Sequence, residues 1–489
     1  MKKENKIKLI IFCVLAVFIG ISVVSKTFQG DTYFTIALGE DILQNGINTD
    51  EVLTYHSDFQ FYNVRWAFDI LIATIYNSFG FIGIYIFTLF VVGIDFLVLY
   101  LICYKYSKRH LISLLIIFLT ANAISAFYTS RAQIISILIF IIQFYSATEL
   151  LKTNKKRYYI ILTLLPIILV NFHASVFPIY FIFYLPFVAE YILGKSKFVS
   201  KHLKKLEFNN YKYYKNLMII IIINIFEGLI SPLGTIPYTM MFQTTFNFST
   251  KMIIEMQPIT KGLLFLYSIY IIILFSNTTK IKANKFFMFI GIALMAVVNK
   301  RSLLYYYNIC GIIVIEQFSN DMYKRIMEKC KNVKKNIKKG IYYTTIALIL
   351  LYNSFQFYYN INREYIYKES YPIDAVDYML ENIDFSEYNI YNGFGIGAYL
   401  EFRGIKAFMD SRAEVYERPF NDTTILEDFY DLEYESMDYE KIFNKHNINL
   451  VLIDKKSNLY EKVIKNSDDE RLNVKHEDEY FIIYEFNRQ

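Results

Sequence analysis

Charged side chains interrupt the long apolar runs of this sequence at a few places where they could act on a substrate. Asp31 directly follows the first apolar run. Its carboxylate is therefore expected at the membrane surface, where it could accept a proton from a hydroxyl as a general base. Arg131 and the pair Lys300-Arg301 each lie between two later runs, and arginine presents a bidentate fork to phosphate oxygens. The predicted chemistry is hydroxyl deprotonation and the binding of a lipid phosphate.

Structural roles for these charged residues stay open. Asp31 could serve only as a helix cap or as a solvated loop acid. The cations could be headgroup contacts of snorkelling side chains. His173, in the turn Asn171-Phe172-His173, is a candidate for substrate or metal binding and equally a candidate for packing through hydrogen bonds.

Further acidic residues complete the set of candidates. Glu40 and Asp50 follow Asp31 in the first long loop, and Glu255 opens the segment Glu255-Met256-Gln257-Pro258 ahead of a later apolar run. These three are candidates for substrate or metal binding. Asp95 and Glu227 fall inside apolar runs, where acids are functional candidates by default.

The elements that must position these residues are membrane-spanning helices. A span needs about 20 mostly apolar residues. The sequence contains eleven candidate runs, near 8–24, 80–104, 111–128, 132–150, 158–172, 174–194, 217–231, 260–276, 285–299, 302–318 and 340–357. We therefore predict a polytopic α-helical membrane protein with about eleven spans.

The loops between the runs orient the protein. Loops rich in Lys and Arg alternate with loops poor in them along the whole chain. Because cytoplasmic loops carry the excess of Lys and Arg, this alternation places the amino end in the cytoplasm. It places the loop 26–65 and the carboxy-terminal domain outside. The helix predicted at 66–79 carries Asp69 and is too short and polar to span, so it is expected to lie at the outer interface.

The chain changes character near residue 359. Residues 1–358 have a net charge of +19, whereas residues 359–489 have a net charge of −13. The second part alternates helix and strand patterns, with helices at 373–382, 423–432 and 438–446 and strands at 388–391, 407–409, 449–453 and 480–486. We predict a transmembrane domain over 1–358 and a small extracytoplasmic α/β domain over 359–489.

Composition and motifs exclude several classes of protein. The sequence has no phosphate-binding Walker loop, no G-x-S-x-G and no H-E-x-x-H, which argues against an ATP-driven pump and a metalloprotease. The pI near 8.7 averages two parts of opposite charge, so it does not indicate nucleic acid as a partner.

An ordered series of short motifs resembles the GT-C superfamily of membrane glycosyltransferases, which includes protein O-mannosyltransferases and bacterial lipid-A aminoarabinose transferases. It is most similar to a bacterial branch with that fold. The series covers nearly the whole chain and consists of Asp31, Gly39 to Gly46, Asp50, Trp66, Arg131-Ala132-Gln133, Asn171-Phe172-His173, Pro232-Leu233-Gly234, Glu255 to Pro258, Arg301, and Asp410-Ser411-Arg412-Ala413-Glu414-Val415-Tyr416. The sequence departs from the pattern at Thr32 and at Val64-Arg65.

The resemblance implies a transferase of the cell envelope. Such enzymes take a sugar from a polyprenyl phosphate in the outer half of the membrane and pass it to a saccharide, lipid or protein acceptor. Arg131, Lys300 and Arg301 would bind the donor phosphate, and Asp31 would activate the acceptor in a single inverting displacement. Some relatives use a divalent metal, for which Asp31 with Glu40, Asp50 or His173 would be the ligands. Asp410 and Arg412 would form a structural ion pair in preference to a substrate contact.

Two other functions stay open. A flippase or polymerase of lipid-linked saccharides would need a polar path through the bilayer, lined by residues such as Asp95 and Glu227. A non-catalytic membrane scaffold would bind a partner through its acidic domain. The scaffold predicts that Arg131 and Arg301 lie far apart or point into lipid.

Overall fold

The computed structural model describes residues 3–196, 198, 202–208, 211–244, 247–276, 278–435, 438–465 and 469–488. The chain forms two compact units, each built from separate stretches of sequence. The first unit comprises Met1–Lys26, Tyr85–Tyr238 and Ile253–Arg363, and the second comprises Thr27–Ile84, Thr239–Met252 and Glu364–Gln489. The domain boundary between residues 358 and 359 stays a prediction.

The first unit is a helical bundle. Its α-helices are Lys3–Ser22, His110–Ala123, Gln133–Thr153, Lys156–Phe172, Phe177–Ile182, Leu185–Gly194, Tyr214–Glu227, Lys261–Phe275, Ala283–Val298, Leu303–Tyr305, Gly311–Gln317, Tyr323–Lys329 and Lys335–Ile361. Two π-helical turns, Tyr306–Cys310 and Phe318–Met322, join the helices between residues 303 and 329. Two short parallel strands, Leu206–Glu207 and Ile281–Lys282, pair with each other.

Two helices continue from one unit into the other. They are Trp66–Ser107 and Ile236–Thr244. The long helix is interrupted at Gly80, whose φ is 62° and ψ −158°. The interruption separates the helix predicted at 66–79 from the apolar run that follows it. The interfacial position of residues 66–79 stays a prediction.

The helices of the first unit expose large apolar side chains. Phe265 is 74% exposed and Leu351 69% exposed, and many Ile and Phe residues on other helices are similarly exposed. Side chains of this kind rarely cover a water-soluble bundle, and extended apolar patches mark contact with partners or with a membrane. The protein is therefore a helical membrane protein.

Each of the eleven predicted runs contains helix, but not all of them are long. Among the described residues, five helical segments are long and apolar enough to cross a bilayer: Glu4–Ser22, Trp66–Ser107, Gln133–Thr153, Ala174–Gly194 and Ile254–Phe275. His110–Ala123 and Ala283–Val298 are apolar but shorter. The count of about eleven spans and the orientation of the termini stay predictions.

In the described residues, the second unit combines a four-stranded sheet with six α-helices that lie wholly inside it. The strands lie in the order Ile390–Asn392, Leu450–Asp454, Phe481–Phe486 and Leu472–Glu477. The first pair is parallel and the other two pairs are antiparallel. The helices that lie wholly in this unit are Gly30–Asn45, Ser249–Met252, Ile373–Asn382, Gly397–Phe402, Ile425–Tyr434 and Tyr439–Lys445.

One sequence prediction about the sheet was wrong, and one strand of the sheet was not predicted. Residues 407–409 form no strand; only Ala407 pairs, with Thr54. The backbone of Phe408 and Met409 instead bonds to the side chain of Asn392, which replaces a neighbouring strand. The strand Leu472–Glu477 was not predicted, because it is a largely solvent-facing edge strand without an apolar face.

The first loop helix owes its position to two glycines of the resemblance motif. A Cβ added at Gly39 would lie 2.1 Å from the carbonyl oxygen of Asp69, so only glycine lets these helices approach so closely. Gly46 ends the helix Gly30–Asn45 with φ of 81°, a conformation that favours glycine. The two glycines therefore fix where this helix lies and where it stops.

Candidate functional site

One carboxylate joins two of the predicted phosphate-binding residues in the first unit. Arg131 Nη1 donates to Glu255 Oε1 at 3.0 Å, and Arg301 Nη2 donates to Glu255 Oε2 at 3.0 Å. The side chains are 18% exposed for Arg131, 27% for Glu255 and 38% for Arg301. The cluster has a formal net charge of +1, and its side chains are partly exposed. We call these three residues the two-arginine cluster.

Each member of the two-arginine cluster lies in a turn next to a helix of the first unit. Arg131 lies in the turn ahead of the helix Gln133–Thr153, where the Gln133 side chain donates to the carbonyl oxygen of Phe127 at 2.6 Å. Glu255 lies in the 3₁₀ turn Ile254–Met256. Asn299 caps the turn Lys300–Ser302 by accepting from the Arg301 amide at 2.9 Å.

The segments that carry Glu255 and Arg301 are bonded to each other. The amide of Ile259 donates to Val297 O at 3.2 Å, and the amide of Lys300 donates to Gln257 O at 3.0 Å. The Lys300 side chain is half-buried beside this bond. These backbone bonds between the two segments bring Glu255 to Arg301, although they are 46 residues apart in sequence.

His173 lies at the same end of the helix Gln133–Thr153 as Arg131. Its Nδ1 forms a 2.6 Å hydrogen bond with Ser136 Oγ, in the first turn of that helix. The neighbouring Asn171 donates to Ile230 O at 3.0 Å. The N-x-H segment therefore ties three stretches of the first unit together.

Asp31 lies in the second unit, in the first turn of the helix Gly30–Asn45. It is half-buried, and its Oδ1 accepts a hydrogen bond from Ser411 Oγ at 3.0 Å. An acidic residue in the first turn of a helix is stabilised by the helix dipole. The structure thus brings Asp31 to the predicted Asp410–Arg412 motif, a contact between residues 380 positions apart in sequence.

Arg412 is the centre of a buried ionic network in the second unit. Its guanidinium donates to both oxygens of Glu51 at 2.7 and 2.9 Å, to Glu401 Oε1 at 3.2 Å and to Asp410 Oδ2 at 2.5 Å. The Arg412 side chain is 2% exposed and the three carboxylates are fully buried. This geometry fits a structural ion pair for Asp410 and Arg412. We call these four residues the three-carboxylate network.

The network contains three acids and one base, and the pKa of Glu401 is raised within it. Burial, followed by the charge of Asp410, raises the pKa of Glu401 well above its usual value of 4.5, while Arg412 lowers it. Burial beside Asp410 therefore favours the protonated form of Glu401.

The structure does not assemble the metal site anticipated around Asp31. Asp31 and Glu40 are nine positions apart on one helix, about 13 Å along its axis. Asp50 is exposed in the loop that pairs with Gln60, and His173 is bonded to Ser136. No group of three or more His, Cys, Asp or Glu side chains is placed to hold a metal ion in the described parts of the chain.

The two acids that a transport path would need are both buried, each beside different tyrosines. Asp95 is 1% exposed and close to Tyr128. Glu227 is 6% exposed and close to Tyr180 and Tyr184. The arrangement of Arg131 and Arg301 is also the opposite of what a scaffold predicts, because both bind the same carboxylate.

Sequence reasoning identified most of these residues but not all of their partners. It gave no role to Ser411, Glu51 or Glu401. Glu51 adjoins the predicted Asp50, and Ser411 lies inside the D-x-R motif, so their positions alone carried a signal. Glu401 sits in an ordinary apolar helix pattern and carried none.

Comparison with known proteins supports the fold. No protein-family model and no curated protein matches the sequence. The archaeal oligosaccharyltransferase AglB from Archaeoglobus fulgidus, solved in complex with an inhibitory peptide and a dolichol-phosphate, is similar in structure, with a TM-score of 0.59 at 12% identity. The similarity covers 93% of this chain and 70% of that chain.

Two further structures of the Archaeoglobus fulgidus oligosaccharyltransferase agree. The apo form gives a TM-score of 0.56 at 13% identity, over 93% of this chain and 70% of that one. The form tethered to an acceptor peptide containing the NVT sequon gives 0.56 at 12% identity, over 93% and 69%. The structure of this chain therefore has the fold of these oligosaccharyltransferases.

Proposed function

We propose that this protein is a membrane glycosyltransferase that transfers a sugar from a polyprenyl-phosphate donor to an acceptor at the outer face of the membrane. The observation that carries the proposal is the two-arginine cluster, in which Arg131 and Arg301 share Glu255. The fold supports it, because a neighbour with this fold was solved with a dolichol-phosphate.

The two-arginine cluster has the chemistry to hold the donor phosphate. Two guanidinium groups form charge-assisted hydrogen bonds to the two oxygens of one carboxylate. A phosphate presents the same kind of anionic oxygens, and arginine binds them in the same way. When the sugar leaves, the phosphate gains negative charge, and the cluster would stabilise that charge.

Asp31 is the proposed general base. Its carboxylate would accept the proton of the acceptor hydroxyl while the hydroxyl oxygen attacks the anomeric carbon. The bond from that carbon to the phosphate oxygen breaks, and its electron pair stays on the phosphate. Because attack and departure occur on opposite faces in one displacement, the anomeric configuration inverts.

The test is sugar transfer by the purified full-length protein from a panel of polyprenyl-phosphate sugars, with wild type beside Asp31→Asn. We expect transfer by the wild type and a loss of about 10²–10⁴-fold in the variant, the contribution of a positioned general base. Equal turnover by Asp31→Asn would refute its role. A wild type inactive toward every donor would count against the transferase.

The matched control for folding is the fluorescence of Trp66, the single tryptophan of the chain. Asp31→Asn keeps the shape of the side chain, so its unfolding temperature should match that of the wild type. A lower unfolding temperature would assign the loss of transfer to misfolding.

A further inference from the structure

The Ser411 side chain contacts the carboxylate of the proposed base, Asp31. Its hydroxyl donates to Asp31 Oδ1 at 3.0 Å. A hydrogen bond to one carboxylate oxygen restricts rotation of the whole group, so the direction of the other oxygen depends on Ser411. This hydrogen bond can orient the carboxylate only if Asp31 and Ser411 are both held in place.

The Asp31 side is held by the helix that carries it. The helix Gly30–Asn45 packs along the helix Gly397–Phe402. A Cβ added at its first residue, Gly30, would lie 3.7 Å from the Gly395 carbonyl oxygen and 3.9 Å from the Ala398 methyl group, so the backbone at Gly30 runs close to both. The first turn of the helix, and with it the backbone of Asp31, is therefore fixed against residues 395–398.

The Ser411 side is held by its two neighbours in sequence. Asp410 Oδ1 accepts from the Arg412 amide at 2.6 Å, which closes a tight turn around Ser411. The Asp410 amide donates to the Tyr416 hydroxyl at 3.1 Å. Both flanking side chains belong to the buried three-carboxylate network, so Ser411 is the one residue of this turn whose side chain is directed at Asp31.

We propose that Ser411 is a positioning residue that orients the Asp31 carboxylate for proton abstraction, with the three-carboxylate network as its rigid support. The inference rests on the proposed function. Ser411 keeps its own proton throughout: it donates a hydrogen bond to Oδ1 and takes no part in bond making. Displacing a catalytic carboxylate by about 1 Å lowers the reaction rate about 100-fold. A serine held by a buried network would keep the Asp31 carboxylate from moving that far.

The test compares Ser411→Ala and Ser411→Thr in the transfer assay, each alone and combined with Asp31→Asn. We expect Ser411→Ala to lower kcat about tenfold or more, because a hydrogen bond to a charged group is lost. KM for donor and acceptor should stay within about twofold. Ser411→Thr retains the hydroxyl and should recover most of kcat. In the Asp31→Asn background, Ser411→Ala should cause no further loss.

The outcomes separate this inference from the proposed function. Unchanged kcat in Ser411→Ala, beside an active wild type and an impaired Asp31→Asn, overturns the inference and leaves the transferase standing. Equal losses from Ser411→Ala and Ser411→Thr, with a lower Trp66 unfolding temperature, also overturn it, because they indicate a structural serine. No transfer by the wild type overturns the proposed function and the inference together.

Discussion

The two ionic clusters of this molecule combine arginine and acid in opposite proportions. The three-carboxylate network surrounds one arginine with three acids, and its side chains are at most 2% exposed. The two-arginine cluster places two arginines on one acid, with side chains 18–38% exposed. A buried ion network serves architecture, since water and ligands cannot reach it. An open cluster with excess positive charge can exchange its partner anion.

The largest effect is expected from removing the arginine of the buried network. Arg412→Met leaves three buried carboxylates without their counterion, and breaking a buried pair in this way costs about 3–5 kcal/mol. We expect the unfolding temperature of the second unit, followed by Trp66 fluorescence, to fall by roughly 10 °C.

Arg403→Met is the matched control for this change. Arg403 pairs with the exposed Asp377 at 2.8 Å in the same unit. A surface pair contributes about 0–1 kcal/mol, so this variant should unfold within a few degrees of the wild type. Similar shifts for both variants would contradict the structural role of the buried network.

Removing an arginine from the open cluster should have the opposite effects, with little change in stability and weaker binding of the lipid phosphate. Arg301→Met should leave the unfolding temperature nearly unchanged, because its side chain is 38% exposed. It should weaken binding of polyprenyl phosphate in nanodiscs by roughly 10–100-fold, since a hydrogen bond to a charged group contributes about 1.5–3 kcal/mol. Arg131→Met should behave alike.

Lys261→Met is the control for that binding experiment. Lys261 is an exposed cation of the same unit, at the start of the helix Lys261–Phe275. Loss of its charge should change affinity little. If Lys261→Met weakens binding as much as Arg301→Met, the phosphate is attracted by overall charge and the cluster is not a site.

The contrast also shows what sequence can and cannot predict. The apolar runs predicted the helices, and apolar strands such as Leu450–Asp454 were found, because both signals are local. Arg131, Arg301 and Glu255 were each selected singly, since a charge beside an apolar run stands out. Their pairing joins loops 124 and 46 residues apart. The Glu51–Arg412 pair joins residues 361 apart, and no local pattern encodes such distances.

A smaller effect is expected from the extra acid of the buried network. Burial and Asp410 raise the pKa of Glu401 in the folded protein, so the folded state binds more protons than the unfolded state at pH values above 4.5. Stability therefore falls as the pH rises through that window. Glu401→Gln imitates the protonated acid and should remove this decline, worth at least about 1 kcal/mol.

The measurement is the unfolding temperature of the wild type and of Glu401→Gln at pH 5 and pH 8, followed by Trp66 fluorescence. The variant should equal the wild type at pH 5 and exceed it at pH 8. Glu433→Gln is a useful comparison, because burial also raises the pKa of Glu433 while backbone amides of Asn458 and Leu459 bond to its carboxylate. A wild-type advantage at pH 8 would mean that Glu401 is ionised in the fold.

The smallest effect separates the role of Glu255 from that of its arginines. Glu255 is the anion that the proposed donor phosphate must compete with, so Glu255→Gln should strengthen binding of polyprenyl phosphate. A partly exposed ion pair contributes about 0.2–1 kcal/mol, which corresponds to a gain of up to about fivefold. Glu255→Asp keeps the charge and should bind no more tightly than the wild type. Weaker binding by Glu255→Gln would show instead that the carboxylate holds Arg131 and Arg301 in the conformation that receives the phosphate, and the open cluster would then share the architectural role of the buried one.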